Sequence, residues 1–289
     1  MLLAPTDYVR PASLEEAIAA LRSSGGASVL AGGQTLINVL KHRAASVELL
    51  VDISRLAELR FIKVRDDGSA TIGAASTYGE LERSAQLRAA QPVLCEVAAG
   101  TVDRQVRARG TIGGNACFAD PASNYPPLLV ALGATMRIAS SDGLRELPAS
   151  EFFTGLYRTA VAPGELLHSI ELPRLDGAGV GYRSLQIAAD SWALARAVAW
   201  VRAPSGRVEA ARVVLGCVAA TPVRALATEQ ALIGKEPTAD AVAAAAALAS
   251  EGLEPPGDTH ASSGYRSAMA AVMARRALLD ALGPQGGGR

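Results

Sequence analysis

Two glycine-rich stretches hold the residue types best suited to binding chemistry: LAGGQTL at positions 30–36 and GTIGGNACFADPASN at positions 110–124. Glycine permits positive φ and lets a ligand come close to the main chain, so that successive N–H groups converge on an anion. A pyrophosphate answers that description. The first stretch runs into an expected helix start at Thr35, where unpaired N–H groups and the helix dipole favour negative charge and the threonine adds a hydroxyl donor. The second brings the amides of Asn115 and Asn124 and the carboxylate of Asp120. Taken singly, each G-G pair is explained equally well by a tight turn. The two clusters together, with Thr35, Thr111, Asn115 and Asp120 beside them, describe either two such turns or one ligand site. The chain has no G-x-x-x-x-G-K-[ST] P-loop, and neither cluster forms G-x-G-x-x-G, which excludes a Rossmann reading.

Other chemistries find no constellation. Cys95, Cys117 and Cys217 stand far apart without a C-x-x-C pair, and His42, His168 and His260 are equally scattered, so no metal or iron–sulfur ligand set is expected. No nucleophile has a recognisable base, and no catalytic residue is assigned. The 28 basic and 28 acidic residues of the 289 balance, which argues against nucleic acid or an anionic membrane as partner. Arg104, Arg107 and Arg109 form a local basic run without aromatic partners and read as a solvated turn or an edge facing another subunit. The start MLLAPTDYVRP lacks a basic n-region and an apolar core, so a cytoplasmic location is expected. AVAAAAALAS, from Ala241, is too short for a membrane span and reads as a soluble helix.

The elements that must position the clusters follow from hydrophobic periodicity. Ser13 and Glu16 form a capping-box spacing ahead of Leu14, Ala17, Ile18 and Leu21, which predicts a helix to about Ser23. SVLAGG reads as a buried strand into a turn, VELLVDIS as an inner strand, and FIKVR with ATIGAAS as a hairpin about DDGS. Thr77 and Glu80 repeat the capping spacing. PVLCEVAAG and PPLLVALGA read as helices, with the glycine stretch between them as a loop. TMRIAS, LRELP and ELLHSIEL read as strands. RLDGAGVG is a composition break, a second unit begins near Tyr182 with two antiparallel strands, and helices fill most of the remainder. In the last of these Met269, Val272, Met273 and Leu279 are expected on the core face. PQGGGR is expected to fray. The mixture of elements indicates α+β.

LAGGQTLINVLKHR followed by QVRARGTIGGNACFADPASNYPPLLVALGA resembles the flavoprotein subunits of molybdenum hydroxylases, the family of the carbon monoxide dehydrogenase medium subunit and the xanthine dehydrogenase FAD domain. The early Y-x-R-P at Tyr8, PGELLHSIELP and YRSAMAAVMARRAL extend the resemblance over nearly the whole chain. It implies a vanillyl-alcohol-oxidase-type (PCMH) FAD-binding fold of two subdomains, about 1–56 and 57–175. A C-terminal domain with a three-stranded antiparallel sheet and helices would follow at 176–284, and a disordered tail at 285–289.

The same resemblance implies a site. Leu30, Ala31, Gly32, Gly33, Gln34, Thr35 and Leu36 would hold the FAD pyrophosphate, with Ala74, Thr111, Ile112, Gly113, Gly114 and Asn115 on its other side. Asp120 and Asn124 would lie along the ribityl or flavin part, Leu167 near the isoalloxazine ring, and Arg183 where relatives often carry a lysine near the flavin. Relatives commonly have an aspartate in place of Asn124, and QIAADSW lacks the arginine usual before its aspartate. The implied partners are a molybdopterin-binding large subunit and a small subunit with two 2Fe–2S clusters, as a dimer of heterotrimers. Electrons would pass from the clusters through FAD to an external acceptor. The rival readings are a free-standing flavin reductase of the same fold, which would need its own proton donor, and a degenerate assembly subunit, to which Asn124 gives weight.

Overall fold

The computed structural model describes residues 3–101, 103–188 and 191–283. The chain divides into two compact units: the first runs to Phe118 and adds Ala134–Phe152 and Arg158–Leu172, and the second comprises Ala119–Gly133, Phe153–Tyr157 and the chain from Pro173. Among the described residues no helix is long and apolar enough to cross a membrane.

The first unit opens with a parallel sheet of β1 (Asp7–Val9), β2 (Ala27–Leu30) and β3 (Leu49–Asp52), in the order β1-β3-β2. Parallel neighbours need crossovers, supplied by α1 (Leu14–Ser23) and α2 (Leu36–Lys41). Ser13 Oγ caps α1 by accepting from the Glu16 N–H at 3.1 Å, while the Glu16 carboxylate reaches one residue further back than a capping box, to the Ala12 N–H at 2.7 Å. Ala17, Ile18 and Leu21 of α1 then pack with Val51, Leu59, Ala75 and Leu166 in one core. At the end of β3 the buried Asp52 accepts from the Tyr8 hydroxyl, from Arg10 Nε at 3.2 Å and from the Ser54 N–H at 2.9 Å.

An antiparallel sheet completes this unit: β4 (Ile62–Val64), β5 (Ala70–Gly73), β6 (Thr135–Ser140), β7 (Gly143–Pro148) and β10 (Leu166–Leu172), in the order β4-β5-β10-β6-β7. The expected hairpin is β4–β5, turning at Gly68 with φ +84°. α3 (Tyr78–Arg83) carries the complete capping box of Thr77 and Glu80, and α4 (Ala85–Ala90), α5 (Pro92–Ala99), α9 (Ala149–Phe152) and β9 (Arg158–Thr159) fill the connections. The glycine stretch expected as a loop instead opens with a short helix, α7 (Ile112–Phe118), and the arginine run expected as a turn or edge is the short helix α6 (Arg104–Arg109). Each is too short for a hydrophobic period to show. Asp103 caps α6 and Thr111 caps α7, the latter with Gly114 where a capping box would put glutamate.

The second unit is built on an antiparallel sheet of β11 (Gly179–Gln186), β12 (Ala193–Arg202), β13 (Ala210–Gly216) and β14 (Val223–Arg224), in that order. A two-residue fourth strand thus extends the three expected. The unit also holds α8 (Tyr125–Leu132), β8 (Phe153–Gly155), α10 (Leu226–Leu232), α11 (Ala239–Ala247) and α12 (Ser263–Leu282). α12 buries Ala270, Met273, Ala274, Ala277, Leu278 and Ala281 against the sheet, whereas Leu279, expected inward, is 37% exposed. The alanine face explains why Gly179–Gly181, expected within a break, is strand, while the break itself holds at Arg174–Ala178, a turn with Asp176 and Gly177 at positive φ. A Cβ on Gly181 would lie 2.0 Å from the Ala277 carbonyl oxygen, and one on Gly179 would lie 1.8 Å from that of Ala281. The calls on Asp190 and on the tail from Pro284 lie outside the described residues.

Gly181→Ala should therefore force α12 off the sheet and cost roughly 1–3 kcal/mol, read as a lower denaturant midpoint, with Gly264→Ala, where a Cβ meets nothing within 4 Å, as the comparison. Acid should act through Asp52. Burial pushes its carboxyl upward, but hydrogen bonds from Ser54, Tyr8 and Arg10 outweigh that and hold it below the ordinary value. Its folded-state pKa is depressed, so its stabilisation is complete above the unfolded value of about 3.9 and disappears as pH falls through the folded one. Asp52→Asn should flatten the loss of stability below about pH 4, measured by thermal unfolding across pH.

Candidate functional site

Within the first unit the two glycine clusters meet. A Cβ on Gly32 would stand 2.1 Å from the Arg109 carbonyl oxygen and 2.9 Å from Gly110 Cα, so the first loop rests main chain to main chain on the residues that open the second. Only glycine permits that approach. Gly33 then takes φ +70°, and its carbonyl accepts from the Ile37 N–H at 3.2 Å to start α2. The Gln34 side chain folds back to the Gly32 carbonyl at 3.0 Å, and Thr35 stands at the helix N-cap without a side-chain capping bond. Among the described residues the main-chain N–H groups of Gly32, Gly33, Gln34 and Thr35 meet no acceptor. Four half-buried or buried donors in one short loop are thus left for partners outside the protein. Leu30, Ala31 and Leu36 flank them, half-buried.

The second cluster is used differently from the expectation that both would turn their amides outward. The Ile112 N–H donates to Ser76 O at 3.1 Å, Gly113 to Ala74 O at 2.9 Å, Gly114 to Thr111 Oγ1 at 3.0 Å and Asn115 to Thr111 O at 3.0 Å. Its amides are committed to docking and to starting α7. Gly113 is required here by proximity, since a Cβ would lie 2.5 Å from Ala74. Tyr78 packs its ring on Gly110, where a Cβ would meet it at 2.7 Å, and its hydroxyl bonds the Asn115 side chain; burial pushes that phenol up. The Ala74 N–H in turn donates to His168 O at 2.9 Å, which ties the cluster to β10 beside the buried Leu167. The register of β10 against β6 shifts between Leu167 and Ser169, and burial, with Arg137, holds the His168 imidazole below its usual pKa.

Asp120, Asn124 and Arg183 belong to the second unit, the first two on one segment and the third on β11. Asp120 Oδ1 accepts from the Ala122 N–H at 2.8 Å and Oδ2 from the Tyr157 hydroxyl at 3.3 Å. Asn124 Oδ1 accepts from Arg196 at 2.6 Å and from Tyr182 at 3.2 Å. Arg183, by contrast, pairs with Asp280 of α12. Side chains alternate along a strand, so Tyr182 and Ser184 face Arg196 while Arg183 faces the helix. The cation expected at position 183 is thus drawn away to a carboxylate.

Sequence reasoning passed over Tyr78, Tyr157, Tyr182 and Arg196. One of these had a signal: Arg196 is the only charge within ALARAVA, a run buried on both faces. Among the described residues no group of histidine, cysteine and carboxylate side chains could hold a metal ion.

Two family models cover the chain. Residues 4–175 match the FAD binding domain in molybdopterin dehydrogenase, and residues 181–281 match the CO dehydrogenase flavoprotein C-terminal domain. The glyceraldehyde dehydrogenase medium chain of Sulfolobus acidocaldarius is 36% identical over 273 residues, 94% of this chain and 97% of the relative. Carbon monoxide dehydrogenase from Hydrogenophaga pseudoflava, solved in a form lacking the Mo-pyranopterin moiety of its molybdenum cofactor, superposes with TM-score 0.94 at 37% identity, covering 98% of this chain and 99% of that one. Quinoline 2-oxidoreductase from Pseudomonas putida 86 gives TM-score 0.92 at 34% identity, covering 97% and 98%.

Gly32→Ala should separate the loops at a cost of roughly 1–3 kcal/mol. FAD affinity should fall about ten- to a hundredfold, measured by flavin titration beside a melting curve. Gly25→Ala, whose Cβ meets nothing within 4 Å, should leave both unchanged.

Proposed function

Because the chain belongs to the FAD-binding flavoprotein subunits of the molybdenum hydroxylase family, we propose that it is the electron-transfer subunit of a heteromeric oxidoreductase. In this reading it takes electrons from iron–sulfur clusters of a small partner subunit and passes them to an external acceptor, while a molybdopterin-binding large subunit transforms the substrate. A dimer of such heterotrimers in the cytoplasm is the corresponding assembly.

The observation that carries the reading is the donor set of the first loop. Among the described residues the N–H groups of Gly32, Gly33, Gln34 and Thr35 meet no protein acceptor, and no basic side chain is needed for a diphosphate that main-chain amides can bond. These residues would hold the pyrophosphate of FAD. Thr111, Ile112, Gly113, Gly114 and Asn115, fixed on Ala74, would form the wall opposite, close-approaching because they are small. Asp120 and Asn124 would accept from or donate to the polyhydroxyl chain and the ring edge, and Leu167 would add apolar contact. When bound, the flavin supplies the exchange between single electrons and electron pairs that this chain's own side chains cannot perform. What the protein contributes is binding, orientation and the electrostatic setting.

The division of labour accounts for the range of the relatives. Chains named for glyceraldehyde, carbon monoxide and quinoline are alike in fold and identity. A subunit that handles only electrons need not change when the substrate does.

The chain, expressed with its partner subunits, should purify yellow, and acid denaturation should release all of the flavin as FAD, since neither loop offers a histidine and burial pushes the thiol of their one cysteine, Cys117, up and away from the thiolate a covalent link would need. Flavin retained on the precipitated polypeptide would contradict noncovalent binding. A colourless chain that still assembles would overturn the electron-transfer reading in favour of an assembly platform, and turnover by the chain alone with a dedicated substrate would overturn it in favour of a free-standing reductase.

A further inference from the structure

Asn124 occupies the N-cap position of α8 and yet makes no capping bond. A capping side chain accepts from the N–H of the second or third helical residue, and in α8 these are Pro126 and Pro127, which have none. The amide carbonyl turns instead to the sheet, where Arg196 Nη2 donates to it at 2.6 Å and the Tyr182 hydroxyl at 3.2 Å.

Arg196 is 1% exposed. Its Nη1 donates to the main-chain carbonyl of Ala122 at 2.7 Å and to that of Ser123, and Nη2 reaches Ser184 Oγ at 3.4 Å. The guanidinium carbon lies 5.7 Å from the centre of the Tyr182 ring. Among the described residues its Nε meets no partner. Burying an arginine in this way is costly, and an aliphatic side chain would suit a doubly covered strand better if packing were the only demand. What the arginine gains is a grip on three consecutive residues, 122–124.

Those residues belong to a segment that needs holding. It is entered through Ala119 at φ +51°, a left-handed conformation unfavourable for alanine. Its Pro121 carbonyl accepts at 3.0 Å from the N–H of Cys217, itself at φ +68°. Asp120 closes a turn on Ala122.

We propose that Arg196 is a positioning residue for the flavin: by clamping the carbonyls of Ala122 and Ser123 and the amide of Asn124, it presents Asp120 and Asn124 to the cofactor. The inference rests on the reading that Asp120 and Asn124 touch FAD, and the test separates the two. Arg196→Lys keeps the charge but cannot span three acceptors in one plane. Tyr182→Phe removes a single donor and leaves the packing in place. Each is made in the full chain and compared for FAD affinity by titration, for the bound flavin's absorption spectrum and midpoint potential, and for the melting temperature of the flavin-free protein. Arg196→Lys should weaken FAD by about tenfold, the scale of losing an outer-shell partner, and shift the spectrum and potential. Tyr182→Phe should move both in the same direction by less. In an Asp120→Ala/Asn124→Ala background the Arg196→Lys effect should largely vanish.

Unchanged affinity, spectrum and potential in Arg196→Lys, with or without a lower melting temperature, would overturn the proposal while leaving the site reading intact. Asp120→Ala and Asn124→Ala variants that bind FAD with wild-type affinity and spectrum would overturn the site reading and the proposal with it. Should Arg196→Lys fail to fold, Tyr182→Phe decides, and a wild-type spectrum and affinity there overturn the proposal.

Discussion

The contact of the Gly32 main chain with the Arg109 carbonyl fixes what the rest of the first unit can do. Two loops 77 positions apart are pressed together without an intervening side chain, because a Cβ would have to occupy space 2.1 Å from that oxygen. From this point a series of short-range constraints spreads outward. Gly110 lies under the Tyr78 ring, Gly113 lies on Ala74, and Ala74 hydrogen-bonds β10 at His168. Each step joins backbone to backbone or ring to backbone, with little freedom for a rotamer to relax. Close packing of this kind transmits displacement, so the first loop's position is inherited from the antiparallel sheet.

That inheritance also explains why the loops differ in chemistry. Both are glycine-rich, but the second spends its amides on Ser76, Ala74 and Thr111 in order to dock, while the first is positioned by steric contact and keeps its amides unspent. An orphan N–H normally counts against stability. Half-buried as most of them are, such groups are satisfied by solvent or by an external acceptor. Glycine serves the second unit in another way, under α12, where Gly179 and Gly181 meet helix carbonyls of an alanine face. The same residue type thus serves a loop with unpaired amides in one place and helix–sheet packing in another, and only the surroundings distinguish them.

This is where the sequence was and was not legible. Longer elements with a period or a cap declared themselves: α1 by Ser13 and its apolar stripe, α3 by Thr77 and Glu80, β3 by its apolar run, β4 and β5 by their turn. α6 and α7 did not, since helices of six and seven residues show barely two turns of pattern and glycine lowers the propensity of IGGNACF. The break at RLDGAGVG was placed correctly at its start but carried three residues too far, because the glycine-rich strand of Gly179–Gly181 has the composition of a linker. Leu279 was misplaced because α12 buries a face made chiefly of alanine, which leaves larger residues on its flanks. In the candidate site, type and spacing brought out the glycines but left two turns and one ligand site as alternatives, and the commitment of Arg183 to Asp280 and of Asn124 to Arg196 depends on partners 97 and 72 positions away. No local pattern encodes those.

The exchange of an expected aspartate for Asn124 can be weighed on the same physical terms. A carboxylate at that position would face a buried arginine and form an ion pair, drawing the guanidinium toward one partner and away from the carbonyls of Ala122 and Ser123. An amide accepts from Arg196 and Tyr182 through one oxygen and leaves the arginine's other bonds intact. The segment is then held by many moderate hydrogen bonds and not by one strong pair, and Asp120 is left as its carboxylate. A chain that had lost its cofactor would have no reason to keep an arginine buried for the sake of three main-chain and amide oxygens, when an aliphatic residue would fill the strand at lower cost. The substitution thus leaves a segment held through the arginine's hydrogen bonds to residues 122–124, with no ion pair at its centre.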